Sequence, residues 1–588
     1  MARVVFASAS RQSSTIVVRD WLLADGPLHL GLAHYLLGHR SEPFVIISRG
    51  LLAGRPVVGA QVASVTAVSP QSGGIAEAEI EGPIADALFR LGLDAIVVTG
   101  VAQETLGLDI SGPSDQLRVK WELSRAAKDA TVWSADARVR SSPGDVVLTT
   151  GRLGMAGHQA ASIVANNGFP TTQGGLGAVL GHHNLKYIWC HGLDHPAEMT
   201  ERERSITEDY EAAIEANPLT KSEKDLPGFA FWPTEKLVGY VGSDGFSGAA
   251  GPGLSLFSAQ SFSDFATDDG ALACPHCPQA CLKSFATDAG APLDGGRAHQ
   301  LGVSARASQS NETDAAALIA FNARCHELGV EHLSADEALR LYQPDTTDDP
   351  AAVLEKALET FPDGVGSAMR VKGMALPPFD PRANQGLAVG LALNPTGPRY
   401  DVLEHDIDFE AGQPWLTRDG LEADFGVSPE GLPMGTLDHR RHQSIVSLWQ
   451  TWSALDALGI CEYAAPPARE LTISGICSLV TDATGESFDS SDLVALGTLR
   501  LGILRDINAT LGMTHSQDTL PQIFFDAPLP EGPLSGASID RVEFGVACDF
   551  VREKFDWSPD GVLEGSKMRG QIDDVIAHAE NIWEGVLL

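Results

Sequence analysis

Three cysteines stand within eight residues of this 588-residue chain, in the run Cys274-Pro-His-Cys277-Pro-Gln-Ala-Cys281, and no other feature restricts its structure so strongly. Thiolates at CxxCxxxC spacing can be offered by one irregular loop to a compact inorganic core, and Pro275 and Pro278 keep that loop from coiling into a helix. An iron-sulfur cluster is the first expectation. A structural zinc site competes with it, but zinc ligands usually come as two spaced pairs, and no second CxxC occurs here.

Such a cluster needs a fourth ligand. The other thiols are Cys190, Cys325, Cys461, Cys477 and Cys548, and a lone cysteine is more often a small buried hydrophobe than a ligand. Cys461 follows a run in which Ile445, Leu448, Trp452 and Leu455 repeat at helical spacing, and Gly459 reads as a left-handed helix stop. A cysteine just past such a stop sits on a fixed turn, whereas Cys477 lies in the apolar stretch from Ile473 to Val480. Cys461 is therefore the expected fourth ligand. Its helix ending recurs, because the helix predicted over Ala315 to Leu328 closes in His326-Glu-Leu-Gly329-Val-Glu331, an echo of Leu458-Gly459-Ile460. A Leu-Gly ending alone is a common C-cap; two of them flanking a cysteine loop carry more weight.

With these features on the page, the chain resembles the tungsten- or molybdenum-containing aldehyde:ferredoxin oxidoreductase family over nearly its whole length. The motifs occur in the family's order: Ser69-Pro-Gln-Ser-Gly-Gly74, Gly92 to Gly100, Gly174-Gly-Leu-Gly-Ala-Val-Leu-Gly181 with Asn184-Leu-Lys186, the cysteine loop, Leu328-Gly329, Lys372 to Arg382, and Asp456-Ala-Leu-Gly-Ile-Cys461. The resemblance implies an α+β fold, with a β-rich cofactor-base domain at 1–198, a helical domain carrying the cysteine loop at 199–390, and a C-terminal helical domain at 391–588. It implies a tungsten or molybdenum bis-pterin centre that oxidises an aldehyde or reduces an acid. A [4Fe-4S] cluster on Cys274, Cys277, Cys281 and Cys461 would pass the electrons to ferredoxin or to a partner subunit. An oligomer is expected.

At the pterin and catalytic positions the chain departs from the family's pattern. The family's N-terminal arginine and asparagine fall at Val62 and Glu79, and the arginine before the glycine-rich loop falls at Gln173. The first helix-turn unit has His326 and Glu331 for aspartates, while the second keeps Asp456, Gly459 and Ile460 beside Cys461. The resemblance thus assigns Glu79, Gln173, Gly174, Gly175, His326, Gly329, Glu331, Asp456, Gly459 and Ile460 to the pterin contacts. The glutamate and histidine that flank the metal fall near Gln300 and Tyr400, with His299 and His405 close by; Gln300, Tyr400 and His405 are the catalytic candidates. Neither glutamine nor tyrosine carries protons easily at neutral pH. A pterin-free paralogue, serving as an electron-relay or structural subunit, is the alternative.

Composition agrees with a redox protein of the cytoplasm. The formal net charge, 41 minus 77 or -36, disfavours nucleic acid and anionic membranes as partners, and the first twenty residues lack an apolar signal core. A ferredoxin is commonly acidic too, so it would need a basic patch here, or a more basic companion subunit would take its place. The run from Gly174 to Gly181 lacks the GxGxxG spacing of a dinucleotide site and the Lys-Ser of a P-loop; its glycines are expected to admit a bulky cofactor. His182-His183 is expected to be a polar loop pair.

Overall fold

The computed structural model describes the chain except for residues 41, 194–197, 227–233, 259, 268–273, 287–291, 295–301, 303, 343–348, 362–368, 411–424, 426, 428–430, 468, 585 and 587–588. Apolar runs broken by glycine build two six-stranded sheets in the N-terminal third. The first contains β1 (Ala2–Ser8), β2 (Ser13–Arg19), β3 (Phe44–Arg49), β4 (Val62–Val68), β5 (Ile75–Glu81) and β6 (Ala95–Thr99), in the order β2-β1-β6-β3-β4-β5. The second contains β7 (Leu106–Ser111), β8 (Arg118–Leu123), β9 (Val146–Thr149), β10 (Val164–Ala165), β11 (Phe169–Pro170) and β12 (Leu185–His191), in the order β11-β10-β9-β12-β7-β8.

Side chains alternate across a strand, and both faces of the first sheet are apolar for that reason. Val5, Val45, Ile47, Ile96 and Val98 share one core with Leu108, Ile110, Leu148 and Ile188 of the second sheet. Their neighbours Val4, Phe6, Phe44, Ile46 and Val97 point the other way, into a larger core made with the helices. Strand β5 obeys the same alternation with a different chemistry. Ala76, Ala78 and Ile80 join the inter-sheet core, while Glu77 and Glu79 are buried on the opposite face.

Beyond residue 200 the chain is mainly helical, with helices at Glu201–Ile214, Ala315–Leu328, His332–Tyr342, Gln385–Leu393, His439–Leu458, Ser490–Thr510 and Lys567–Trp583 among them. Tyr210, Phe257, Leu387, Leu455, Leu504 and Ile582 belong to a single core with the first sheet. The α+β class expected from the sequence is the observed one. The last helix begins at Lys567, because the Ser566 hydroxyl accepts the Arg569 N–H and caps it there. No described helix is long and apolar enough to cross a membrane.

Each sheet receives one helix end at a glycine corner. The Ala315–Leu328 and His439–Leu458 helices both stop at a left-handed glycine, Gly329 (φ 68°) and Gly459 (φ 78°). In both, the next N–H reaches back into the last turn: Val330 to the Cys325 carbonyl and Ile460 to the Leu455 carbonyl, each 3.0 Å. The Leu458 carbonyl then accepts the N–H groups of Leu52 (2.9 Å) and Ala53 (3.2 Å), just past β3, and the Gly329 carbonyl accepts Ser162 N–H (2.8 Å). These contacts demand glycine on the sheet side as well. A Cβ at Gly50 would lie 2.2 Å from the Leu458 carbonyl carbon, and one at Gly151 1.8 Å from the Leu328 oxygen.

Gly50→Ala and Gly151→Ala are each expected to destabilise the fold by about 1–3 kcal/mol, since backbone must move to make room. Gly38→Ala, in the Leu28–His39 helix where an added Cβ meets nothing within 4 Å, is expected to stabilise by up to about 1 kcal/mol. Thermal unfolding of the three variants checks both signs, and equal shifts would contradict the corner contacts.

Candidate functional site

The cysteine loop turns sharply twice. His276 (φ 61°) and Ala280 (φ 47°) adopt the left-handed conformation without being glycine, a strained arrangement that tends to mark functional loops. The turns gather the backbone around sulfur, so the Cys277 thiol faces the N–H groups of Gln279, Ala280 and Gly59. Gly59 also accepts the Cys461 N–H at 2.8 Å, which sets Cys461 and Cys277 against the same residue of the first sheet's loop. Cys281 lies within electrostatic reach of Cys277, Cys274, Glu81 and Glu223. Burial pushes the Cys277 thiol up, and the Cys281 thiol far up, so a bound cation is what would favour their thiolate forms. Exposure divides the eight cysteines: Cys274, Cys277, Cys281 and Cys461 are half-buried, whereas Cys190, Cys325, Cys477 and Cys548 are buried.

The positions matched to pterin contacts hold one another. Around Asp456, at the end of the second helix-turn helix, Arg399 reaches Asp401 (2.8 Å), Glu79 (3.4 Å) and Asp456 (3.5 Å), and Arg500 reaches Glu77 (2.6 Å) and Asp456 (2.8 Å). His29 adds a 2.8 Å contact to Glu77. Burial acts to raise Glu77, but Arg500 and His29 outweigh it and hold its carboxyl at about 2. Burial pushes Asp456 well above the usual carboxylate range, against the pull of Arg500 and Arg399. Carboxylate oxygens of Glu79, Asp401 and Glu462 lie within 4.8 Å of one another, and Arg399 already bridges the first two.

At the first unit the glycine-rich loop touches the helix end directly. Gly175 N–H donates to Glu331 at 2.8 Å, and the other Glu331 oxygen accepts the Gln71 amide (2.9 Å) and the Ser334 hydroxyl (2.9 Å). Gly174 N–H meets the Gln71 side chain, and Gln173 donates to the Ala375 carbonyl at 3.2 Å. His326 is buried, which lowers it to about 4. The nearest neighbours of the later glycines are protein backbone, Ser162 at Gly177 and Gly154 at Gly181; these two permit helix packing. His183 is likewise structural, its Nδ1 held 2.6 Å from the Gly100 carbonyl. A groove of about 890 Å³ borders Gly181 and His182, but none of Leu328, Gly329, Leu458 and Gly459 lines it.

Of the catalytic candidates, Gln300 lies outside the described residues. The Tyr400 hydroxyl sits 3.4 Å from that of Tyr463. His405 Nε2 faces the Tyr400 carbonyl at 2.9 Å and therefore carries the proton, while Nδ1 accepts from the Tyr240 hydroxyl at 2.5 Å. Burial lowers its pKa. A neutral imidazole with both nitrogens engaged is fixed in place.

Arg399, Arg500, Glu77 and Gly59 escaped the sequence reading. One signal was present: the Glu77-Ala78-Glu79 pair at strand period faces a side of β5 that must be covered by helices, and two acids there call for basic partners.

A family model described as aldehyde ferredoxin oxidoreductase, N-terminal domain, matches residues 38–192, and one for domains 2 and 3 of the same enzyme matches residues 352–570. Cys461 and the second helix-turn unit fall within these matches; the cysteine loop and the first unit lie between them. Curated relatives include the tungsten-containing aldehyde ferredoxin oxidoreductases of Pyrococcus furiosus and Thermococcus kodakarensis. Each is 24% identical, over 92% of this chain and 93% of the relative for the first, and 91% and 93% for the second. Among solved structures, the active-site complex BamBC of benzoyl coenzyme A reductase with 1,5-dienoyl-CoA matches with a TM-score of 0.76 at 16% identity, covering 99% of this chain and 98% of the other. That likeness is one of fold.

Glu331 supplies a pH test of this site. Burial pushes its carboxyl up to about 7 from an ordinary 4.5, against the pull of Gln71, Gly175 and Ser334. The folded state therefore keeps a proton that the unfolded chain has lost, so stability falls as pH rises from 4.5 to about 7 and levels off above. In urea unfolding, Glu331→Gln is expected to gain on the wild type steadily across that window; parallel pH profiles would refute the assignment.

Proposed function

Because the chain belongs to the aldehyde ferredoxin oxidoreductase family, we propose that it is an iron-sulfur redox protein whose Cys274, Cys277, Cys281 and Cys461 hold a [4Fe-4S] cluster and relay electrons within a larger redox assembly. Two cysteines from distant segments meeting at Gly59 carries this reading. The donor set fits the group: four half-buried thiols, one of them faced by three backbone N–H groups, a pattern that stabilises cluster sulfur and tunes its potential. When bound, such a cluster supplies one-electron transfer. The chain's own contribution is to fix the four sulfurs between the sheet loop and the Gly459 turn and to exclude water on the Leu282 side, where the loop joins the inter-sheet core. A ferredoxin or a more basic companion subunit is the expected electron partner, given the net charge of -36.

The residues at the pterin positions fit a pterin poorly. Glu79 stands where the family has an asparagine, and the carboxylates that could receive a pterin's N–H groups already receive guanidinium and backbone N–H groups. Oxidation of an aldehyde at a tungsten or molybdenum pterin is the second reading, favoured by similarity along nearly the whole chain and by the retained Asp456, Gly459 and Cys461.

Anaerobically purified protein is expected to hold about four iron atoms and as many labile sulfides per chain, with tungsten and molybdenum far below stoichiometry. Stoichiometric tungsten or molybdenum, with aldehyde-dependent dye reduction, would establish the second reading instead; zinc without iron would end both. Cys461→Ser is expected to lose or convert the cluster and Cys477→Ser to retain it, followed by iron content and the electron paramagnetic resonance of the reduced protein.

A further inference from the structure

Gln279 stands between Cys277 and Cys281 in the cysteine loop, yet its side chain is buried. A buried amide is stable only where its donors and its acceptor are met. Its Nε2 donates to the Glu223 carboxylate at 3.0 Å and to the Thr220 carbonyl at 3.2 Å, and its Oε1 accepts the Tyr210 hydroxyl at 3.1 Å. That hydroxyl also faces the Tyr463 carbonyl at 3.5 Å, just past Cys461 in the chain. The loop that carries Cys274, Cys277 and Cys281 and the turn that carries Cys461 are therefore joined through one amide and one tyrosine hydroxyl, both buried.

The same amide holds a charge. Glu223, in the Pro218–Asp225 helix, gives one oxygen to Gln279 and the other to Arg469 at 2.8 Å, and a carboxylate that accepts N–H groups on both oxygens is stabilised in its ionised form. Burial raises its pKa, and Arg469 and Gln279 pull against that rise. Arg469 divides its guanidinium between Glu223 and Glu404, the latter at 3.5 Å, so Glu223 is not answered by a cation of its own. Glu223 lies within electrostatic reach of Cys281. Lys283 reaches both Cys281 and Glu223 electrostatically, while its Nζ donates to the Lys224 and Ala280 carbonyls. An electron added at the cysteines is repelled by Glu223 and attracted by Lys283, and the low dielectric of the interior keeps both effects large. Net charge and hydrogen bonding are among the quantities that set a cluster's potential.

We propose that Gln279 locks the cysteine loop to the turn after Cys461, and that Glu223, hung on the same amide, holds the reduction potential of the four-cysteine centre down, with Lys283 opposing it. The inference rests on the iron-sulfur reading. Gln279, Tyr210, Glu223 and Lys283 act as positioning and tuning residues: the electron resides at the centre, and none of them exchanges an atom with it.

The test is potentiometry of the reconstituted full chain, with iron and sulfide counted first, followed by the rate of iron release to a chelator. Glu223→Gln is expected to favour reduction about tenfold, a rise of about 59 mV for one electron, Lys283→Met to disfavour it by a similar factor, and Glu223→Asp to stay within about twofold of wild type. A packing defect alone gives neither opposite signs at the two charges nor rescue by aspartate. Gln279→Leu, which strands three buried partners, is expected to release iron about tenfold faster, and Tyr210→Phe, which removes one hydroxyl, to release it faster by a smaller factor. Shifts of one sign in Glu223→Gln and Lys283→Met, or none in either, overturn the electrostatic assignment. Wild-type release rates in both Gln279→Leu and Tyr210→Phe overturn the lock. Either result leaves the iron-sulfur reading standing, whereas wild type that binds no iron overturns both.

Discussion

The contact between the Leu458 carbonyl and the N–H groups of Leu52 and Ala53 organises most of what surrounds the site. It exists because Gly459 turns left-handed and leaves that carbonyl unpaired within its own helix, and because Gly50 has no side chain to hold the two backbones apart. Once it is made, Ile460 is buried and Cys461 sits on the Gly59 carbonyl. Asp456, one turn earlier on the same helix, comes to Arg399 and Arg500. The same device at Gly151 and Gly329 ties the other sheet to the other helix end. Two sheets and two helix ends are thus matched pairwise, and Cys277 and Cys461 lie at the junction with the first sheet.

Charge is the second organising term, and it acts inside the protein. Arg399 and Arg500 with Glu77, Glu79, Asp401 and Asp456, like Arg469 with Glu223 and Glu404, are buried or half-buried assemblies with more carboxyls than guanidiniums. Buried ion pairs are weak sources of stability, since desolvation offsets their attraction, yet removing one member leaves an uncompensated charge at a cost of about 3–5 kcal/mol. Such assemblies fix geometry. In the first network that fixity lies at the positions the resemblance matched to pterin contacts; in the second it lies two contacts from the cysteine loop.

Some of this was legible beforehand and some was not. The two Leu-Gly helix ends rest on local rules of spacing and capping, which do not depend on what lies across the core. Glycine spacing alone misled at Gly177 and Gly181, where a close approach of protein backbone and one of a cofactor demand the same residue. Arg399 and Arg469 gave no signal, because a buried guanidinium is recognised by carboxylates tens or hundreds of residues away, Glu79 and Glu223 among them.

The sequence by itself determined the family and the α+β order of the chain, since periodicity, caps and motif order are properties of neighbouring residues. Only the tertiary structure decided that Cys277 and Cys461 share Gly59, that Glu331 meets Gly175, and that Arg469 reaches both Glu223 and Glu404. Those outcomes depend on how strands, helix ends and loops from distant parts of the chain are pressed together, and on the low dielectric that such packing creates.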